Sequence, residues 1–291
     1  SSQLPTLLLS RFTKEKVSVA LSGDGGDELF CGYKRYNQGY NLFRILNKFP
    51  LSFRPLLSKL IKNFPANYID QIVKLLHKGS SSEIKGKLEK LAEVINTNDK
   101  YDYYHSLLLC FQNANALTTF DDDFFDNRFQ NLSFFESSDF REIMMQIDTL
   151  SYLPDDILVK VDRASMSTGL ELRLPYLDHD LIEWAWKIPL KYKIKNQKTK
   201  WILREILYKY IPKNLIDRPK KGFGIPVHKW LRGELKEWAT DTLSEKSIKK
   251  IGILDYKEVS KLLEEHLSYK KNNHYKLWNL ICLQDWFLKW S

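Results

Sequence analysis

Apolar positions along the chain recur mostly at helical spacing, with one clear exception near the start. Val17-Ser18-Val19-Ala20-Leu21 is a short apolar, β-branched run bounded by Lys16 and by glycines, and it reads as a buried strand. Before it, residues 2–11 read as an amphipathic helix with Ser2 as N-cap and Pro5 in the first turn. Residues 51–120 are helical in pattern: Phe53, Leu56, Leu57, Leu60, Ile61 and Phe64 repeat every three or four positions. Gly79-Ser80-Ser81-Ser82 separates one helix from the next, with Ser82 as a cap. From Asp139 onward helix dominates again, and Pro154-Asp155 marks a helix start. Residues 235–290 form amphipathic helix, with Trp278, Leu280, Trp286, Leu288 and Trp290 expected to pack in the core. One strand among many helices is an odd inventory for an α/β fold, because a parallel sheet needs several strands. The pattern therefore predicts part of a longer protein.

Composition narrows the class. The 291 residues suffice for one large domain or two small ones, and 43% hydrophobic content with 8 Trp, 15 Tyr and 16 Phe excludes wholesale disorder. No apolar run approaches the roughly 20 residues that span a bilayer. The start, Ser1-Ser2-Gln3-Leu4-Pro5, lacks signal-peptide architecture. Cys31, Cys110 and Cys282 are far apart and without CxxC spacing, so they read as free thiols in a cytoplasmic protein with no membrane partner. The net charge of +9 raises the question of nucleic acid. The basic residues are dispersed among acidic ones, however, and dense groups such as residues 191–200 are short, which fits a phosphate-rich small ligand and no nucleic acid. The six histidines show no ligand spacing for zinc, and Asp121-Asp122-Asp123 reads as a solvated loop.

The candidate chemistry lies directly after the strand, in Ser22-Gly23-Asp24-Gly25-Gly26-Asp27-Glu28-Leu29-Phe30. A strand, a glycine turn and a helix start present backbone N–H groups to an anion. Asp24 and Asp27 stand among those amides, and carboxylates repel phosphate unless a cation lies between. A nucleotide bound with Mg²⁺ is the functional reading. A tight turn using Gly and Asp for their backbone preferences is the alternative.

Further segments carry a resemblance. Leu153-Pro154-Asp155-Asp156-Ile157-Leu158-Val159-Lys160-Val161-Asp162-Arg163-Ala164-Ser165-Met166-Ser167 runs on to Gly169-Leu170-Glu171-Leu172-Arg173-Leu174-Pro175-Tyr176-Leu177-Asp178. Lys198-Thr199-Lys200-Trp201-Ile202-Leu203-Arg204 and Arg218-Pro219-Lys220-Lys221-Gly222-Phe223-Gly224-Ile225-Pro226 follow. With the SGDGGDELFCGYKRY segment before them, these resemble the C-terminal synthetase domain of glutamine-hydrolysing asparagine synthetases. The resemblance is strong over residues 1–40 and 152–233 and weak between.

It implies an α/β, predominantly helical fold: the C-terminal portion of an adenine-nucleotide α-hydrolase-like (Rossmann-like, parallel-sheet) synthetase domain. Within it, residues 1–40 would hold the strand, nucleotide loop and helix, 41–150 a helical region, 151–233 active-site helices and loops, and 234–291 C-terminal helices. The implied reaction joins aspartate and ATP, with Mg²⁺, into β-aspartyl-AMP and pyrophosphate. Ammonia from glutamine then displaces AMP. A sugar carboxylate as acceptor, a lactam-forming reaction and an inactive interaction fragment are the alternatives. By resemblance Ser22 and Gly23 contact the adenylate, Gly25 and Gly26 allow close approach, and Asp27 is the metal carboxylate. Asp24, where many relatives carry Glu, lies beside the acceptor. Glu171 is placed in the active site, with a structural pair to Arg173 as the alternative. Lys200 is the candidate cation for pyrophosphate or the adenylation transition state, with Lys198 its competitor. A basic helical face of Lys198, Lys200 and Arg204 is the bland reading. Asp162 and Arg163 are expected to pair as a buttress, and Lys220 belongs to a phosphate-covering loop. Neither the family's SGGxDS pyrophosphate loop nor an N-terminal nucleophilic Cys occurs in the sequence. The glutaminase domain and that loop are thus expected to come from elsewhere, and a homodimer is open to the full-length protein.

Overall fold

The computed structural model describes residues 2–62, 81–97, 99–111, 114–119, 139–217 and 224–291. It divides into two compact units, one of residues 1–45 and 128–225, the other of residues 46–127 and 226–291. The first is a helical α/β body built on a small parallel sheet. Helix α1 (Gln3–Lys14) leads to strand β1 (Val19–Leu21), and a glycine turn joins β1 to α2 (Gly26–Leu29) and α3 (Lys34–Leu46). Strand β2 (Glu171–Arg173) lies parallel to β1, in the register Val19↔Glu171, Ala20↔Leu172, Leu21↔Arg173. The Ser22 N–H extends this ladder by donating to the Arg173 carbonyl at 2.9 Å. A second pair, β3 (Ile194–Lys195) and β4 (Lys198–Thr199), forms an antiparallel hairpin. Its two-residue turn, Asn196-Gln197, has φ of 49° and 63°, the double left-handed conformation whose twist suits a tight hairpin.

Several sequence expectations change. Helix α1 runs three residues beyond residue 11, and Ser2 does not cap it through its side chain; its carbonyl instead accepts from the Thr6 hydroxyl at 3.0 Å. β1 is three residues long and not buried: Val19 and Leu21, which share one face of the strand, are 40% and 74% exposed, and among the described residues β1 pairs with β2 alone. β2 was not legible as a strand, since three residues of alternating Glu-Leu-Arg carry no periodic signal until a partner is known. Leu153–Leu158 forms a π-helical turn with Pro154 in its first turn and passes into the helix Val159–Met166. This helix and α1 pack together.

The second unit is helical. Here the apolar stripe predicted around residues 53–61 is turned over. Phe53, Leu56 and Leu60 are exposed, whereas Arg54 and Ser58 are buried. Arg54 donates to the Leu46 and Thr97 carbonyls, and Ser58 Oγ donates to the Ala92 carbonyl at 2.6 Å. Specific polar partners thus decide which face turns inward. The helix His274–Trp290 buries Leu277, Leu280, Ile281 and Gln284, while Trp286 and Trp290 stay exposed, contrary to the predicted tryptophan core. Phe64, Gly79, Ser80 and the 121–123 aspartates lie outside the described residues.

Candidate active site

The glycine turn is shaped by what packs against it. Gly25 has φ +87°, a conformation that non-glycine residues rarely adopt, and a Cβ there would overlap the Leu177 side chain. A Cβ on Gly26 would press within 3.1 Å of the Tyr176 ring. Both partners belong to the turn Pro175–Leu177 that follows β2, so these glycines admit protein packing. Gly23 differs: nothing lies within 4 Å of its Cβ direction. Open space there suits contact with a bound molecule.

Behind the turn, Leu29 and Phe30 are fully buried with Ala185 and Ile188, and Ile202 and Leu203 pack against this cluster. That packing explains the Lys200-Trp201-Ile202-Leu203 order. The apolar residues anchor the helix Trp201–Leu207, and Lys200 at its N-cap is delivered to the glycine turn. Lys200 Nζ lies 3.0 Å from Asp27 Oδ1. The Lys200 backbone is left-handed, φ 54°, and its N–H donates to the Phe30 carbonyl at 3.2 Å. Such a conformation at a lysine costs about 1–2 kcal/mol, and strain of this kind concentrates at functional sites.

Lys198, the competitor, goes elsewhere. It meets Asp217 at 3.3 Å, and Asp217 also accepts from Arg204 at 2.8 Å and from the Tyr208 hydroxyl at 2.6 Å. These donors hold the Asp217 carboxyl below the usual range, the Tyr208 hydrogen bond foremost. The basic helical face of Lys198, Lys200 and Arg204 is therefore not formed as one cluster. The other lysines of residues 191–200 are partly structural. Lys193 is buried over the Trp186 ring, where burial lowers its pKa to about 8, and Lys195 stacks on Trp201.

Asp24 is half-buried and accepts from Ser22 Oγ at 2.5 Å. Both line a cleft of about 390 Å³ together with Leu21, Lys160 and Leu172. Glu171 is not brought to these charges. It stands opposite Val19 at the start of β2, whereas the turn follows the end of β1; it is half-exposed and accepts from Arg173 Nε at 2.8 Å. Asp162 and Arg163 are both exposed with no ion pair between them, because neighbouring helical positions point apart. Lys220 lies outside the described residues.

Three contributors escaped the sequence reading. Gly32 is one: a Cβ there would overlap both Asp27 Oδ1 and Lys200 Cε. Glu28 is another, 1% exposed, with one oxygen accepting from the Tyr33 hydroxyl at 2.6 Å. Burial raises its pKa, with Asp27 and Asp148 adding to the shift. The third is a brace beside it, in which the Arg35 guanidinium lies 4.0 Å from the Tyr33 ring centre and 4.7 Å from that of Tyr152 while bonding to fully buried Asp148. The Gly32-Tyr33-Lys34-Arg35-Tyr36 run was the available signal, but its partners Asp148 and Tyr152 are more than a hundred residues away.

Among the described residues no group of three or more His, Cys, Asp or Glu could enclose a metal ion. Mg²⁺ asks for less. It is commonly held by one or two carboxylates together with substrate phosphates and water. Asp27, at the turn, fits that shared mode and not a protein-only cage.

Comparison with known proteins decides the family. Residues 1–288 match the sequence profile of the family described as asparagine synthase. The chain belongs to the asparagine synthase family. Over 286 residues it is 30% identical to asparagine synthetase (glutamine-hydrolyzing) 1 of Bacillus subtilis (strain 168), covering 97% of this chain and 42% of that relative. A putative asparagine synthetase of Mycobacterium tuberculosis (strain ATCC 25618 / H37Rv) is likewise 30% identical over 286 residues, 97% of this chain and 41% of its own length. The glutamine-hydrolyzing asparagine synthetase of Gallus gallus is 33% identical over 103 residues, 32% of this chain and 18% of that protein. The chain thus spans well under half the length of these bacterial synthetases. The three free cysteines take no part in the turn's charges, and burial pushes the Cys31 thiol up to about 12. No helix among the described residues is long and apolar enough to cross a membrane.

Proposed function

We propose that this chain carries the adenylation site of an ATP-dependent amide-forming ligase acting on aspartate. The aspartate side-chain carboxylate attacks the α-phosphorus of ATP, pyrophosphate leaves, and β-aspartyl-AMP forms. Ammonia then attacks the acyl carbon, loses a proton, and expels AMP to give asparagine. The observation that carries this reading is the Asp27–Lys200 pair at 3.0 Å, set at the C-terminal end of a parallel strand, where open α/β sheets bind ligands. A carboxylate and an ammonium there supply both charges that the step needs: one to hold a metal against the triphosphate, one to neutralise the departing pyrophosphate.

In this reading Ser22 and Gly23 approach the adenylate, Gly25 and Gly26 shape the turn, and Asp24 faces the acceptor. Asp27 would hold Mg²⁺ jointly with phosphate oxygens, and the ion, when bound, supplies charge stabilisation to the triphosphate. Lys200 donates to the leaving phosphates, and Lys220 is a further cation for the nucleotide. Residues 1–40 and 151–233 therefore carry the site, and the fold is the C-terminal portion of an adenine-nucleotide α-hydrolase-like domain. Ammonia comes from glutamine through a glutaminase domain outside this chain, as does the SGGxDS pyrophosphate loop. The bacterial relatives, more than twice as long as their matched part, support that division.

The test is product analysis with the full-length protein, ATP, Mg²⁺ and ammonia, offered aspartate or uronic acids. Asparagine, AMP and pyrophosphate in equal amounts are expected from aspartate. Amide formed only from uronic acids overturns the acceptor, and product without AMP overturns adenylation.

A further inference from the structure

The cleft beside the end of β1 holds two opposite charges that do not meet. Asp24 and Lys160 both line it, yet they form no ion pair with one another. Lys160 is half-buried, and among the described residues it has no hydrogen-bond or ion-pair partner. Partial burial costs an ammonium some of its hydration, which a bound carboxylate would replace. The backbone around Lys160 is held. Its neighbour Val161 is buried with Leu153 and Ile157, and the π-helical turn Leu153–Leu158 ends just before it, a feature that concentrates at functional sites. The hydroxyl donors of the cleft are already engaged. Those of Thr6, Ser10 and Thr13 donate to carbonyls of their own helix, and that of Ser22 donates to Asp24. Leu9, Ala20, Leu170 and Leu172 supply apolar wall.

Resting on the acceptor role proposed for Asp24, we propose that Lys160 binds the α-carboxylate of the acceptor amino acid. A zwitterion on a short aliphatic stem matches opposite charges set apart in a cleft with apolar walls. Its α-ammonium faces Asp24, its α-carboxylate meets Lys160, and its side-chain carboxylate is left for adenylation. A sugar acid brings one carboxylate, which the reaction itself consumes, and would leave Lys160 without an anion. Lys160 is thus a specificity residue for α-amino acids, and it makes or breaks no bond.

Kinetics of acceptor-dependent pyrophosphate exchange by the full-length protein test this in wild type, Lys160→Met, Lys160→Gln and Lys160→Arg. The KM for aspartate should rise roughly ten- to a hundredfold in the two neutral variants, the scale of one charge-assisted hydrogen bond. The KM for ATP should not change. Lys160→Arg, which keeps the charge, should recover most of the loss. An unchanged aspartate KM in both neutral variants overturns the subsite and leaves the adenylation reading intact. A loss that falls equally on aspartate and ATP, or is as large in Lys160→Arg, also overturns it. Exchange supported in wild type by uronic acids and not by aspartate overturns the acceptor reading, and the subsite with it.

Discussion

Single residues at the turn separate packing from ligand contact. Gly25 is left-handed and blocked by Leu177, so Gly25→Ala should destabilise the protein by about 1–3 kcal/mol, read as a lowered unfolding midpoint. Gly23→Ala meets open space and should change stability by no more than about 0.5 kcal/mol, while weakening nucleotide binding measured by titration calorimetry. The reverse pattern would mean that the open side of the turn faces no ligand. At this scale much was legible. Asp27 and Lys200 stand out by motif, and the geometry brings them together. The choice between Lys198 and Lys200 was not legible, because it rests on a left-handed residue and on Asp217, a partner with no fixed spacing. Glu171 shows the opposite limit: its motif sets it in the site, yet the parallel register leaves it beside Arg173 at the far end of the strand.

At the scale of elements, helices with strong periodicity were legible and short strands were not. β1 was found because glycines bound it; β2 needs β1 to exist, and the β3–β4 hairpin needs two left-handed residues that are not glycine. The turned-over helix Arg54–Lys62 shows why periodicity misleads when a buried arginine finds carbonyl partners. A buried polar group also contributes to the pH response of the second unit. His266, in the helix Tyr256–Leu267, is fully buried. Burial first, then the neighbouring Arg232, His274 and His228, lowers its pKa to about 4 from 6.5. Folding thus favours the neutral ring, and below about 6.5 the unfolded chain gains a proton that the folded one refuses. Stability is full above pH 6.5, falls as the pH drops toward 4, and levels off below, a loss of about 3 kcal/mol from this group. His274, also lowered to about 4, adds in the same direction. Urea unfolding at pH 7, 5.5 and 4.5 should show this slope, and His266→Leu should reduce it; an unchanged slope in the variant would assign it to other groups.

For the whole molecule, the family follows from motifs spread along the chain, and its match reaches from residue 1 to residue 288. Sequence alone did not show how the structure divides, because each of the two compact units is assembled from two separated stretches of chain. Nor did it show that Leu21 is exposed, since burial depends on what packs against the strand and not on the apolar character of the run. These observations support one proposal: the turn after β1 and Lys200 together form an adenylation site. The most direct measurement is aspartate-dependent exchange of labelled pyrophosphate into ATP by the full-length protein and its variants. Asp27→Asn should abolish exchange, Lys200→Ala should reduce it on the order of a hundredfold or more, and Lys198→Ala should stay within a few-fold of wild type. Exchange at wild-type rates in Asp27→Asn, or equal losses in the two lysine variants, would contradict the account.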